Sequence, residues 1–292
     1  MPEPVPQEES LQPRVSVILV AHNQAPALRR SIEALELSQD HEKMEILLVD
    51  CGSDDESPRL DVDYPGITVL RLPHHFGATK AMNIASRTAK GEYFFFLSPD
   101  VEVAPDTVKQ LADRLEADNE ATAVTPLLVD PEGKPVSRVG KLLNSDDLRA
   151  ACRGEDSPPS AIDTSAESIA VEYAGRDALM VRSVFIRGMN YFDSRYGHYW
   201  ADADLAVQIR RAQKRIKLYP AIRATWHRMP DPFLVDSGFA ADCVNGAAAY
   251  LFRYEGFGSG LMFKLGALLN ALAGFRLGEF GAILSGSKVD GS

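Results

Sequence analysis

The sequence lacks a glycine-rich phosphate loop. Neither G-x-G-x-x-G nor a Walker sequence occurs. A nucleotide bound by this chain would therefore be held by carboxylates, backbone groups and a metal ion. Cysteine is scarce. Cys51, Cys152 and Cys243 are scattered and odd in number, with neither a metal-type spacing nor a disulfide framework, which points to a reducing compartment. Positive charge is outweighed: 31 Lys and Arg stand against 41 Asp and Glu, a net charge of −10. That balance argues against broad nucleic-acid binding, which needs a basic surface. Met1 to Pro13 is acidic and Pro-rich, with no basic n-region and no apolar core. The expectation there is a loose tail, not a signal peptide.

What is present suits a globular protein with a sizeable core. Of 292 residues, 45% are hydrophobic and 25% charged, enough for one large domain with an appendage. The division expected is a tail at 1–13, a main domain at 14–232 and a helical region at 233–292. Val15 to Ala21 is a near-continuous apolar run, as in a strand buried on both faces. Pro26, Leu28, Ile32 and Leu35 then fit a helix. Glu45 to Asp50 and Ile67 to Leu72 read as further strands, and Gly77 to Lys90 as a helix. Tyr93 to Leu97 reads as a fourth strand, with a helix over Pro105 to Leu115. Strands alternating with helices predict an α/β protein with a mostly parallel, doubly wound sheet. Two of these strands lead to a carboxylate, Asp50 and Asp100. In open α/β sheets ligands bind beyond the carboxyl ends of the strands, and a carboxylate there is a candidate ligand for a hard divalent cation.

From Asp130 to Ala170 the pattern weakens, and Arg153 to Glu167 reads as a loop rich in Ser, Pro and acidic residues. Strands are expected at Ser168 to Tyr173, Ala178 to Arg182, Ile216 to Pro220 and Ile222 to Trp226. Asp202 and Asp204 fall at the amino end of a basic helix, where capping and the helix dipole favour carboxylates. Phe239 to Ser285 is rich in Leu, Ala, Gly and Phe and reads as one or two helices. Its longest charge-free run, Leu265 to Phe275, falls short of the ~20 residues that span a bilayer. Two readings stand: a helical hairpin packed on the main domain or a partner, and an interfacial helix lying on a membrane.

With these pieces placed, the chain resembles a bacterial family-2 glycosyltransferase of the GT-A fold, rhamnosyltransferase-like, over about Arg14 to Arg228. Val15 to Asn23 looks like the family's opening strand and its terminal Asn. Val49-Asp50-Cys51-Gly52-Ser53-Asp54-Asp55 looks like V-D-x-G-S-x-D. Gly77 to Asn83 looks like G-x5-N, and Gly91 to Asp100 like the strand leading to the metal motif. Phe192-Asp193 and Asp202-Ala203-Asp204-Leu205 are similar to the F-D and E-D-x-D-L segments, and His227 to a late histidine. The resemblance implies a nucleotide site at Ala21, Asn23, Asp50, Gly77, Asn83 and Ser98, with Asp50 accepting from a pyrimidine base. It implies that Asp100 holds Mg²⁺ or Mn²⁺ on the donor diphosphate, with His227 as a further metal or diphosphate contact. Asp202 becomes the catalytic base, and Trp200 and Asp204 fall on the acceptor side.

The chemistry agrees with that division. A sugar leaving its nucleoside diphosphate needs the departing charge stabilised, which a metal does directly. An acceptor hydroxyl is a poor nucleophile until a carboxylate takes its proton. The expected partners are a nucleotide-sugar donor, thymidine-diphosphate rhamnose at the family level, and a cell-envelope glycan or lipid-linked acceptor. The expected place is the cytoplasm, with contact at the inner face of the cytoplasmic membrane if the C-terminal helices bind it.

Departures from the family pattern leave an alternative open. Ser98 stands at the first position of the metal motif, where Asp is usual. Ala201 stands where Glu usually precedes the base, Gln208 where Arg is common, and Gln213 where Gly usually ends the helix. The alternative is a weakened or inactive homologue that binds a sugar nucleotide within an assembly complex.

Overall fold

The computed structural model describes residues 12–155, 162–229, 233, 236–286 and 289. Most of the expected N-terminal tail, and residues 156–161 of the expected loop over Arg153–Glu167, lie outside the described residues.

Apolar runs without alternation can be satisfied only by burial on both faces; three of them pair in parallel, together with an edge strand whose exposure alternates. β1 (Val15–Ala21), β2 (Met44–Cys51), β3 (Ile67–Leu72) and β4 (Tyr93–Leu97) stand in the order β3-β2-β1-β4. The connections carry α1 (Ala25–Glu36), the single turn α2 (Leu60–Asp63) and α3 (Ala78–Thr88). Within β4 successive side chains point to opposite faces. Tyr93, Phe95 and Leu97 join the core on one face, and Phe94 and Phe96 the core on the other. All five are almost fully buried, and each ring taken out of water stabilises the fold by roughly 1.5–3 kcal/mol.

The second half is less regular. After Asp100 come β5 (Val101–Val103), α4 (Thr107–Ala117) and β6 (Ala121–Val129). Next are β7 (Val139–Gly140), α5 (Ser145–Cys152), β8 (Ile169–Val171), β9 (Tyr173–Ala174) and β10 (Ala178–Arg182). β10 runs antiparallel between β4 and β6, and β11 (Arg215–Trp226) runs parallel to β6. β5 and β8 pair with β11 in the opposite sense, while β7 and β9 form a separate ladder. The nine-stranded sheet is thus mostly parallel, with a mixed second half. α6 (Ser183–Gly188) and α7 (Ala201–Arg211) precede β11.

Several elements depart from expectation for identifiable reasons. β6 gave no sequence expectation because Thr125-Pro126 interrupts an otherwise apolar run. Pro126 pairs with Tyr219 at the point where the β6–β11 register shifts, a bulge being one place a sheet tolerates proline. The same shift spans Pro220, so the two short strands expected there are one strand. α5 is short, and its start is secured by a capping box in which the Asn144 side chain and Asp147 satisfy each other's backbone N–H groups. The C-terminal region holds three helices: α8 (Ser237–Tyr254), α9 (Phe257–Ala273) and α10 (Leu277–Ser285). α8 is built into the main core through Ala241, Cys243, Ala247, Ala248, Tyr250 and Leu251. This docking also brings the Sγ atoms of Cys152 and Cys243 to 2.6 Å, a proximity the sequence spacing does not reveal.

One backbone contact fixes how the second half sits over the first. Gly77 has φ +84, and a Cβ there would lie 2.7 Å from the carbonyl carbon of Gly197. The Thr79 N–H donates to the Gly197 oxygen at 3.0 Å. Asn83 reinforces the contact, donating from Nδ2 to the Phe192 carbonyl and accepting the Phe192 N–H, both at 2.9 Å. Gly77→Ala should therefore cost about 2 kcal/mol or more, lowering Tm by ~5 °C in thermal unfolding. Gly133→Ala also meets a positive φ, +85, but open space, and should cost less.

Candidate active site

The carboxyl ends of β1 and β4 open into a cavity of about 530 Å³. Its lining includes Ala21 and His22 after β1, His75 and Ala78 around the start of α3, and Ser98, Pro99 and Asp100 after β4. The second half contributes Arg138, Arg176, Asp177, His198, Tyr199, Trp226 and Arg228. The position follows from register. β1 is flanked in parallel by β2 and β4, with Ala21 opposite Asp50 and Leu19 opposite Leu97, so the residues following all three strands gather at one edge.

Asp50 is 2% exposed and lies behind this edge. Its Oδ2 accepts the Ser53 N–H at 3.2 Å, while Oδ1 is buried with no hydrogen-bond partner. A buried acceptor without a donor is costly, and a ligand N–H would relieve it. Asn23, at φ +54, ties the loops together: its N–H donates to Ser53 Oγ and its Oδ1 accepts the Asp54 N–H. His22 Nδ1 lies 2.9 Å from the Cys51 carbonyl, which can only accept, so the ring proton sits on Nδ1. His22 Nε2 then accepts from Asn23 Nδ2 at 3.1 Å.

Asp100 lines the cavity. Its Oδ1 accepts from Ser98 Oγ at 2.6 Å and its Oδ2 from the Met229 N–H at 3.1 Å. Each oxygen keeps lone-pair capacity. Among the described residues no group of three or more His, Cys, Asp and Glu forms a metal cage. Asp100 nonetheless fits a cation shared with substrate, since Mg²⁺ is commonly held by one or two carboxylates together with substrate phosphates. His227 sits close by in space, its N–H donating to the Asp100 carbonyl at 2.9 Å, but its Nε2 faces Glu102 at 2.8 Å. The ring is not part of the cavity lining.

Asp202 and Asp204 have separate partners. Asp202, 8% exposed, stands behind the loop that carries Arg176 and Asp177. Its Oδ2 accepts from Tyr173 OH at 2.9 Å and from the Arg176 N–H at 3.3 Å. Burial, and then the charge of Asp202, push the Tyr173 hydroxyl well above its ordinary value, so it remains a donor. Asp204 turns the other way, accepting from Arg253 at 2.9 Å and from Tyr254. It thereby bolts α7 to α8. Trp200 also faces α8, donating from Nε1 to the Cys243 carbonyl at 2.8 Å. Neither Trp200, Asp204 nor Asn83 lines the cavity; tertiary partners occupy their polar groups. Ala201 is 1% exposed.

Several lining residues carried no expectation of a role. Arg138 grips Asp177 through two bonds, Nε to Oδ2 at 2.8 Å and Nη2 to Oδ1 at 2.6 Å. Asp177 is in turn anchored to the metal-motif loop, its carbonyl accepting the Ser98 N–H at 2.8 Å. Trp226 lies under the guanidinium groups of Arg138 and Arg228. His22, His75 and His198 touch one another and Phe233. The one local signal in the sequence is the charged pair Arg176-Asp177 placed directly before an apolar strand.

An α/β sheet with two carboxylates at the carboxyl edge, and a cavity walled by loops from an appended half, is the architecture of a ligand-binding α/β protein. Comparison with known proteins makes this specific. Residues 16–165, just over half of the chain, match the family described as glycosyl transferase family 2, and the chain belongs to that family. An N-acetylglucosaminyl-diphospho-decaprenol L-rhamnosyltransferase of Mycobacterium tuberculosis is 25% identical over 233 residues, covering 73% of this chain and 75% of the relative. The succinoglycan biosynthesis protein ExoO of Rhizobium meliloti is 29% identical over 39% of this chain and 33% of its own. Among solved structures, GalNAc-T7 with UDP, GalNAc and Mn²⁺ gives a TM-score of 0.62 at 16% identity, over 84% of this chain and 48% of that one. This chain therefore spans about half the length of that protein. A Pyrobaculum calidifontis mannosyltransferase with GDP-Man and Mn²⁺ gives 0.59 at 19% identity, over 90% and 76%. The fold is the GT-A fold.

Burial, followed by the electrostatic influence of His22, Arg176 and His74 beside it, depresses His75 to about 4. Its Nδ1 accepts the Gly77 N–H at 2.9 Å, which also favours the neutral ring. The folded pKa lies below the ordinary 6.5, so between pH 6.5 and 4 the unfolded chain binds the extra proton. Stability from this group is present above pH 6.5 and is lost as pH falls to 4, by up to about 3 kcal/mol. Thermal unfolding across this range should show Tm falling with acidification, and His75→Gln should flatten part of the slope.

Proposed function

We propose that the chain is an inverting glycosyltransferase that moves a sugar, rhamnose from thymidine-diphosphate rhamnose in the first instance, to a hydroxyl of a cell-envelope glycan or lipid-linked acceptor. The observation that carries this reading is the pair at the carboxyl edge: Asp50 with an unpartnered buried Oδ1, and Asp100 with lone pairs open to the cavity. Asp50 takes a base N–H. Asp100 holds Mg²⁺ or Mn²⁺, which when bound supplies positive charge to the departing diphosphate. The names of the rhamnosyltransferase and ExoO support the donor and acceptor classes.

In this reading Asp202 is the base. The carboxylate stands one hydrogen bond behind the cavity-lining Arg176, and a small shift of that loop brings it to an acceptor hydroxyl, as catalytic hydrogen bonds often tighten only with substrate bound. Asp177 is the rival, because it lines the cavity directly, but Arg138 occupies both its oxygens. Nucleotide sugars should protect the chain against thermal unfolding, more strongly with Mn²⁺. Asp202→Asn should keep that protection and lower turnover by ~10²-fold or more. Turnover lost in Asp177→Asn but not in Asp202→Asn would move the role to Asp177. Binding without turnover in the wild type would favour the inactive homologue, and Ala201→Glu would be the first reversion to assay.

The exposed face of α9 and α10 supports contact with a membrane surface from the cytoplasmic side. Phe257, Met262, Leu269, Phe275, Leu277 and Leu284 are all more than half exposed. Among the described residues no helix is long and apolar enough to cross a membrane, and short helices with an exposed apolar face suit an interface. The full chain should float with anionic liposomes, and Leu269→Glu with Phe275→Glu should sink it. Equal flotation of wild type and double variant would remove this part of the proposal.

A further inference from the structure

The cavity wall around Asp100 has a charge pattern that the metal motif does not explain. Arg138 is neutralised by Asp177 at 2.6 and 2.8 Å. Arg176 differs. Its backbone N–H serves Asp202, but its half-buried guanidinium lines the cavity and meets no carboxylate or acceptor among the described residues. Beside it lies His198, 8% exposed, whose Nδ1 is buried without a hydrogen-bond partner. His198 is rigidly seated: its N–H donates to Asp242 Oδ2 at 2.7 Å, and the preceding Gly197 leaves no room for a Cβ, which would lie 1.9 Å from Asp242 Oδ1. Trp226, 6% exposed and also on the wall, has a buried Nε1 without a partner. Three polar groups lining one cavity thus have no partner among the described residues. An arginine fork and two ring N–H groups are all suited to donate to an oxyanion.

Resting on the glycosyltransferase reading, we propose that Arg176, with His198 and Trp226, forms a phosphate-oxyanion subsite built into this wall, binding a diphosphate directly through protein donors. It complements the single carboxylate of the metal motif, whose companion position is Ser98. The field of Arg176 is felt locally, since burial and then Arg176 hold the His198 ring well below its ordinary value. The permanent positive charge is therefore the guanidinium, and His198 contributes a neutral N–H. A diphosphate reaches this cavity from either of two sources, the nucleoside-diphosphate donor or a lipid-diphosphate acceptor.

The test uses the full chain in EDTA, with inorganic pyrophosphate, a nucleoside diphosphate, the matching nucleoside and a short-chain isoprenyl diphosphate as titrants in calorimetry. Wild type should bind pyrophosphate without metal. Arg176→Gln, which keeps the backbone N–H to Asp202, should weaken it by about tenfold or more, as expected for losing one charged hydrogen-bonding fork. Nucleoside affinity should not change. Arg176→Lys, which keeps the charge but not the fork, should fall between and serves if the Gln variant does not fold. Weakening of the nucleoside diphosphate assigns the subsite to the donor, and weakening of the isoprenyl diphosphate assigns it to the acceptor. Wild type that binds no pyrophosphate, or folded variants that bind every diphosphate as wild type does, would overturn the subsite. Failure of nucleotide sugars to protect the wild type, by contrast, tells against the glycosyltransferase reading and leaves the pyrophosphate comparison interpretable.

Discussion

Everything at the site depends on β1 being paired in parallel on both sides. Parallel neighbours end at the same edge, so the residues that follow β1, β2 and β4 are forced together whatever their sequence separation. Ala21 opposite Asp50 and Leu19 opposite Leu97 set that register. A one-residue slip would turn each strand's side chains to the wrong face, exchanging the members of two cores that are both fully buried. The hydrophobic packing of β4 therefore holds Asp100 in place as firmly as any polar contact does.

The second half of the chain converts an open edge into a cavity. It crosses the first half where Gly77 and Gly197 meet backbone to backbone, a contact that a side chain at position 77 would block. Antiparallel pairing of β10 with β4 then sets Ala178 beside Leu97, which delivers Asp177 and Arg176 next to Ser98 and Asp100. Polar groups serve two purposes. Asn83 ties the halves together, and Asp204 and Trp200 tie α7 to α8; all three are satisfied by the chain. His198 Nδ1 and Trp226 Nε1, on residues lining the cavity, and Asp50 Oδ1 behind the sheet edge are among the buried atoms left without a partner. An unpartnered buried group is costly, and a ligand that pairs with it removes that cost.

Electrostatics is divided in the same way. The chain carries a net charge of −10, yet Arg138, Arg176 and Arg228 all reach one cavity. His75 and His198 add hydrogen-bonding groups with little charge, because burial and the neighbouring cations keep them neutral at ordinary pH. In an otherwise acidic chain, Arg176, paired with no carboxylate among the described residues, gives the cavity a local attraction for small anions.

The strand–helix alternation of the first hundred residues, the placing of Asp50 and Asp100 at one edge, and the apolar character of α9 and α10 can all be read from the order of the residues. Those features are local: continuous apolar runs, turn residues and helical spacing act over a few positions and need no partner to be read. Tertiary structure decided the rest. β6 and the single β11 were hidden by Pro126 and Pro220, whose cost is absorbed by a register shift that exists only once the two strands pair. α8 reads like its neighbours in composition, but its depth in the core depends on what it packs against. Asp202 and Asp204 look alike in sequence. Only Tyr173 and Arg176 on one side, and Arg253 and Tyr254 on the other, give them different work. Arg176 could be counted in the sequence as one cation among 31. That its guanidinium has no partner among the described residues around the cavity is a fact about its neighbours, and neighbours are assigned by the fold.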